Sequence, residues 1–378
     1  MGRKRKRAVN SMKSANSCFD LPVELLTEVL ARLPAKTLLR LRCVCKEWRS
    51  LIDSSNFAYL QLKLCKNNVQ NNRLFLIESV DHKRRCFMRC SDTFRRTREL
   101  ILPKYYGRLW LIGYANGLVL GATFESATKF VVWNPSIRKF TVICPPTPQC
   151  WSGGLTGFTY VTEPEDDYKL VVITFDCSHW CQLAGLRLQK PPLPSTVPAQ
   201  IYSLRTRSWR VFNMDLPWVK GLKYREETTF LNGAIHWLGY HDSIPRNISH
   251  IVAFNMENGA LNSIQLPDEW TSSGRHRHGD QVLAVLGESL AFLDMKPGCS
   301  FIWVMEQYGV GNSWVKRYMI NLEYDMFILK RNGKLLVTIE QGIKEYDVKN
   351  QKIKRIAEFY QDSICCVDTF VENLILLT

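Results

Sequence analysis

Residues 116–140 read NGLVLGATFESATKFVVWNPSIRKF, and their pattern decides the fold of most of the chain. Asn116-Gly117 accepts the positive φ angles of a tight hairpin turn, and Leu118-Val119-Leu120 after it has the length and apolarity of a strand. Phe130-Val131-Val132-Trp133 is a second such run. It is followed by the polar turn Asn134-Pro135-Ser136 and a further start at Lys139-Phe140. No helical period runs through the segment, so it predicts consecutive antiparallel strands.

The same grammar recurs outward. Asn232-Gly233-Ala234, Gly287-Glu288-Ser289 and Asn332-Gly333-Lys334 open units as Asn116-Gly117-Leu118 does. Tyr202 to Trp209, Phe254 to Leu261, Met305 to Trp314 and Tyr346 to Lys352 close them as Trp133 to Phe140 does. Successive closings lie about 40 to 70 residues apart, within the range of a propeller blade with loop insertions. Radial repetition also removes the exposed edges that so many strands create. The expectation is an all-β domain, a β-propeller of about six blades, with a sandwich as the alternative. Trp133, Trp209, Trp237 and Trp314 are expected to pillar its core. The segments Trp180 to Pro198 and Asp268 to Asp280 are expected as long loops open to a target.

Upstream the period changes. Asp20 can cap a helix whose first turn holds Pro22 and Glu24. Leu25, Val29 and Leu33 recur at four-residue spacing, with Leu26 and Leu30 widening the stripe, and Pro34 ends the helix. Leu38, Leu41 and Val44 mark a second segment, and Trp48, Leu51 and Ile52 a third. Three short helices within about 35 residues carry more apolar surface than they can hide alone. Either a partner completes their core or they cap the following domain, and periodicity leaves both open. The expected organisation is α+β multidomain: a basic tail over 1–18, a helical unit over 19–64 and the β-domain over 65–378. The division is expected near residue 65, where the helical period stops and the strand period begins, so that the two cores need not share side chains.

Composition narrows the function classes. Fifty Lys and Arg against 35 acids give a net charge of +15. Arg3, Lys4, Arg5, Lys6 and Arg7 contribute five, and the stretch from Lys83 to Arg98 a net six. The excess is therefore local, which argues against a nucleic-acid-binding face spread over a domain. Arg3 to Arg7 fits a nuclear import run. Thirteen irregularly spaced cysteines fit reduced thiols and a nuclear or cytoplasmic setting, and no apolar run approaches the roughly 18 residues that cross a bilayer. Cys43, Cys45, Cys365 and Cys366 are expected to fill small apolar spaces.

Signatures of chemistry are not found. Gly309-Val310-Gly311 lacks the third glycine of a phosphate loop. Cys177-Ser178-His179-Trp180-Cys181 has no second half for a zinc site, and His236 is expected to pack beside Trp237. The expectation is no catalytic residue, no metal and no cofactor.

The residues 21–36, LPVELLTEVLARLPAK, with Leu38-Leu39-Arg40, Cys43 to Trp48 and Leu51-Ile52, resemble the plant F-box. Gly113 to Leu118 with Val132 to Phe140, Asp166 to Val171, Tyr202-Ser203-Leu204 with Ser208-Trp209-Arg210, and Leu231 to Leu238 resemble in order the F-box-associated domain, a kelch-like propeller. The insertion from His179 to Pro198 and the lack of strict kelch signatures depart from that pattern. The resemblance implies a substrate receptor of a Skp–cullin–F-box ubiquitin ligase, bound to a Skp-family adaptor and through it to cullin and RING subunits. It implies adaptor contacts at Leu21, Pro22, Leu25, Leu26, Val29, Leu30, Leu33, Pro34, Leu38, Leu41, Val44 and Trp48, and a protein substrate that the sequence does not name. An F-box scaffold outside a ligase, or a nucleic-acid binder using the basic clusters, are the alternatives.

Overall fold

A computed structural model of the chain describes residues 22–66, 73–80, 83–91, 93–102, 109–124, 128–147, 154–174, 196–215, 221–222, 228–240, 248–272, 281–295, 298–321, 326–329, 334–339, 342–357 and 363–377. Four helices come first: α1 (Val23–Ala31), α2 (Ala35–Leu41), α3 (Lys46–Ile52) and α4 (Ser55–Lys66). The sequence reading stopped at the third. It missed α4, whose Phe57, Tyr59 and Leu62 are buried, because Gln61, Lys63 and Lys66 dilute its apolar stripe. Pro22, with φ of −53° and ψ of 141°, stands at the N-cap of α1. The expected cap Asp20 lies outside the described residues.

The strands form six antiparallel sheets. β1 (Arg73–Val80), β2 (Lys83–Cys90) and β3 (Arg96–Leu100) belong to a blade that the chain leaves unfinished. Blade one is β4 (Leu109–Ala115), β5 (Leu118–Phe124), β6 (Thr128–Asn134) and β7 (Lys139–Ile143); blade two is β8 (Gly154–Val161), β9 (Asp167–Thr174), β10 (Thr196–Ser203) and β11 (Ser208–Asp215). In blade three, β12 (Gly221–Leu222) and β13 (Thr229–Leu231) both pair with β14 (Ala234–Tyr240), followed by β15 (Ile248–Asn255) and β16 (Leu261–Gln265). After a short helix α5 (Asp268–Ser272), blade four is β17 (Gln281–Leu286), β18 (Ser289–Asp294), β19 (Ser300–Met305) and β20 (Trp314–Ile320). Blade five is β21 (Met326–Leu329), β22 (Lys334–Ile339), β23 (Gly342–Asp347) and β24 (Lys352–Ala357), and β25 (Ser363–Thr369) then pairs with β1 to complete blade six.

The closings read from the sequence are the turns between third and fourth strands. Asn134, Asn255 and Asp347 end third strands, and each side chain accepts a backbone N–H from the turn it begins. The openings Asn116-Gly117, Asn232-Gly233 and Gly287-Glu288 join first and second strands, so the sequence units start one strand late. Asn332-Gly333 lies outside the described residues.

Long apolar runs such as Phe130 to Trp133 follow from burial on both faces. Phe130 and Val132 pack toward blade two, while Trp133 packs toward blade six. The six buried apolar clusters are the six junctions between neighbouring blades. Trp133 and Trp237 are buried in theirs as expected, whereas Trp209 and Trp314 are half-exposed on fourth strands.

The junction between blades one and two is larger than the rest. Its cluster joins Leu120, Phe130, Tyr168 and Leu170 of the blades to Leu30, Leu38, Ile52, Phe57 and Leu62 of the helices, and to Val371, Leu374 and Ile375 beyond β25. Of the two readings that periodicity left open, the helices cap the following domain, and the two cores share side chains across residue 65. The helices hide their surplus apolar surface on the propeller.

The segment after β25 is fixed by Asn373. Its Oδ1 accepts from Asn134 Nδ2 at 2.7 Å and from the Ile375 N–H at 3.1 Å, and its Nδ2 donates to the Asn116 carbonyl at 3.1 Å. The same carbonyl accepts the Tyr168 hydroxyl at 2.7 Å. Gly117 follows with φ of +92°, and a Cβ there would collide with the Val371 carbonyl and the Asn373 amide. Gly233 has φ of +71° in the matching turn of blade three, with nothing within 4 Å of such a Cβ. Gly117→Ala should therefore cost strain plus displacement of the tail, about 3 kcal/mol or more, and Gly233→Ala only the left-handed strain, about 1 kcal/mol. Thermal melts of the two variants check this; equal shifts would contradict it.

Candidate functional site

α1 has two sides. Leu30 and Ala31 face the propeller junction, while Val23, Leu25 and Val29 remain 65%, 53% and 56% exposed, an aliphatic stripe that no described residue covers. Val44, between α2 and α3, is 58% exposed. Isolated apolar residues are ordinary on a surface, but three on one nine-residue helix form a patch that fits a partner.

The helices hold this patch rigidly. Arg42 clamps Asp53 with two N–H donors, its Nη2 at 2.8 Å, tying the end of α2 to the end of α3. The hydrogen bond from Arg42 holds the Asp53 carboxyl below the usual carboxylate range. Cys45 caps α3, its Sγ accepting the Trp48 N–H at 3.4 Å. Cys43 is exposed rather than filling an apolar space, because it lies on the outer side of the turn after α2.

Polar contacts fasten α4 to blade two. The Arg205 guanidinium lies over the Tyr59 ring, 4.9 Å from its centre, and donates to Asn56 at 3.3 Å. Arg205 in turn donates its backbone N–H to Asp167 at 2.9 Å. Burial, with the Asp167 charge, raises the pKa of Tyr59 well above that of a free phenol. Glu372 bridges the other side: it pairs with Arg73 at 2.7 Å and accepts the Ala35 N–H at 3.3 Å.

Of the adaptor contacts that the resemblance implies, Pro22, Leu25, Val29, Pro34 and Val44 are exposed, and Leu26, Leu33, Leu41 and Trp48 are half-buried. Leu30 and Leu38, at 3% and 0% exposure, pack into the shared core. Their place in the four-residue rhythm did not separate them, because α1 and α2 are apolar on two sides. Leu21 and Arg3 to Arg7 lie outside the described residues, as does Cys177 to Cys181. Val23 is the exposed residue that the sequence reading passed over, although it adjoins Pro22 in the same motif.

The turns at Asn116-Gly117, Pro135 to Arg138 and Leu204 to Arg207 sit on the face that meets the helices. β9 begins there at Asp167 and ends on the opposite face at Thr174, from which β10 returns at Thr196. Residues 180–195 of the segment singled out from Trp180 to Pro198, and residues 273–280 of that from Asp268 to Asp280, lie outside the described residues. Within the latter, 268–272 form α5 rather than open loop, with Trp270 buried against Phe292.

His236 packs differently from the expectation. Trp237 points into the junction with blade two, whereas His236 Nδ1–H donates to the Thr229 carbonyl at 3.1 Å and its Nε2 accepts the Tyr308 hydroxyl at 2.8 Å. Burial lowers its pKa from 6.5 to about 4, outweighing the Thr229 bond that favours the charged form.

These features define an F-box joined to a six-bladed β-propeller. Residues 69–375 match the F-box associated beta propeller domain and residues 18–59 match the F-box domain, so the chain belongs to the F-box family that carries this propeller. It is similar to F-box/WD-40 repeat-containing protein 1 of Arabidopsis thaliana, 24% identical over 88% of this chain and 79% of the relative. It is also similar to an F-box/kelch-repeat protein of the same plant, 25% identical over 79% of each chain.

The His236 geometry generates a prediction. A histidine whose folded pKa is depressed contributes full stability above its unfolded value near 6.5, and that contribution is lost as pH falls toward 4. At pH 5 the loss is about 2 kcal/mol. His236→Gln should melt at more nearly the same temperature at pH 7.5 and pH 5 than the parent chain. An unchanged difference would show that the imidazole is not held neutral.

Proposed function

We propose that the chain is the substrate-recognition subunit of a Skp–cullin–F-box ubiquitin ligase, recruiting a protein target for ubiquitination and degradation. The observation that carries this reading is the uncovered stripe of Val23, Leu25 and Val29 on an F-box fixed to a propeller. The stripe offers a Skp-type adaptor an apolar contact, and the shared core makes the propeller follow the adaptor's orientation. Members of this family are typically non-catalytic adaptors, so the chemistry assigned to the chain is proximity: it raises the local concentration of a target near a charged enzyme. Support for target capture on the face opposite the helices comes from the strand ends at Thr174 and Thr196, which both lie on that face. The basic run Arg3 to Arg7 and the irregular cysteines support work in the nucleus, the cytoplasm or both.

Each large aliphatic side chain buried at the adaptor contact is worth roughly 1.5–3 kcal/mol. Leu25→Glu with Val29→Glu should therefore abolish co-purification of the adaptor while leaving the melting temperature within a few degrees, since both positions are exposed. Leu38→Ala should instead lower stability by about 2–5 kcal/mol through a cavity in the shared core. Full adaptor recovery with the double variant would overturn the assignment.

A further inference from the structure

Each blade ends in an outer strand with a sheet partner on one side only, and such an edge is a template for pairing with another strand. Charge guards against that. Arg96 and Arg98 stand on β3, Lys139 on β7, Arg210 and Asp215 on β11, Lys316 and Arg317 on β20, and Lys352 and Lys354 on β24. β16, reading Leu261-Asn262-Ser263-Ile264-Gln265, has no charge at all.

The turn that leads into β16 satisfies its own backbone. Asn255 Oδ1 accepts the N–H groups of Glu257 and Asn258, the Asn255 carbonyl accepts that of Gly259, and Asn258 Oδ1 accepts that of Ala260. Arg210 holds the same turn from blade two, donating to the Met256 and Glu257 carbonyls at 3.0 and 3.1 Å. β16 therefore starts from a fixed position. The Asn255 N–H donates to the Ala260 carbonyl at 2.9 Å, so strand alternation turns the backbone groups of Asn262 and Ile264 toward β15 and those of Leu261, Ser263 and Gln265 outward. The outward Gln265 carbonyl accepts the Trp314 indole N–H at 2.8 Å. The N–H and carbonyl of Leu261 and of Ser263 have no partner among the described residues, and the side chains of Asn262 and Ser263 are exposed.

An added strand fits such groups, because its own N–H and carbonyl groups repeat at the same spacing. Its side chains would alternate between two walls, half-exposed Phe212 and Met256 on the blade-two side and half-exposed Trp314 on the blade-four side. Both walls are apolar, which selects an uncharged segment. A second copy of this chain pairing edge to edge would have to run its own turn past Gly311, where a Cβ would already lie 2.7 Å from that of Gln265. A thin segment enters where a second propeller does not.

We infer that the outer edge of blade three is a docking strand: an extended, uncharged segment of a protein partner pairs with Leu261 and Ser263 and seats alternate side chains on Phe212 with Met256 and on Trp314. That this partner is the ubiquitination target rests on the ligase reading; the pairing itself does not.

The test uses the full chain and a fluorescent peptide of about nine Val, Ile and Thr residues, read by anisotropy. Binding is expected. An analogue N-methylated at every inner residue keeps the side chains and loses the backbone donors, so it should bind at least about tenfold more weakly. Ser263→Pro removes an outward N–H and no bond to β15, and should weaken the unmethylated peptide at least about tenfold while the melting temperature stays within a few degrees. Val142→Lys, on the outer strand of blade one, should change binding less than about threefold. Absence of binding, equal binding of the N-methylated analogue, unaltered binding to Ser263→Pro, or a dimer of the parent chain that Ser263→Pro dissolves would overturn the proposal. Should Ser263→Pro not fold, Ser263→Lys, which puts a guarding charge on the edge, carries the same test. Adaptor co-purification is measured alongside. Its failure with the parent chain would sink the ligase reading and leave the peptide result standing.

Discussion

The structure depends on the return of the chain's last strand to its first. A ring of sheets has no open junction only when its ends are joined, and here β25 supplies the strand that β1 to β3 lack. The pairing of Leu74 with Thr369 spans nearly the whole propeller sequence, so its loop-closure cost is met only once the other blades are in place. The tail beyond it then does a second job. Asn373 satisfies Asn134 and the Asn116 turn, while Leu374 and Ile375 enter the cluster that holds Leu30 and Leu38 of the helices. One segment closes the ring and mounts the F-box. An orphaned polar group in that network would cost about 1–3 kcal/mol, because each partner is buried.

Much of the propeller was legible because its turns are chemically loud. Asn134, Asn255 and Asp347 begin turns with their own side chains, and those residues stand out between apolar runs. Blade six was not legible as a unit. Its third-to-fourth turn from Cys90 to Arg96 uses Phe94 at φ of +55° where the sequence offers no glycine or Asn signal, and its first strand comes from the other end of the chain. The second task of Asn134, holding the tail, leaves no local trace, since Asn373 is far away in sequence.

The F-box illustrates a different limit. Its motif was readable over the whole helical unit, yet the motif mixes residues that face outward with residues that face the propeller. Four-residue spacing cannot sort them: Val29 and Leu30 are neighbours, one 56% exposed and the other 3%. Only the packing of α1 and α4 against blades one and two decides which is free for a partner. The same packing makes the junction polar at its rim, through Arg205 and Tyr59, and apolar at its centre. Such a mount transmits orientation, which suits a receptor that works by holding one protein at a set place relative to another.

The central claim is that the tail makes the F-box helices and blade one a single cooperative unit. Hydrogen exchange read by mass spectrometry on the parent chain and on Asn373→Ala tests it most directly. Amides of α2, α4, β5 and β6 are expected to lose protection together and by similar factors in the variant. Retained protection in α2 and α4 while β5 and β6 open would show that the helices stand by themselves and contradict it.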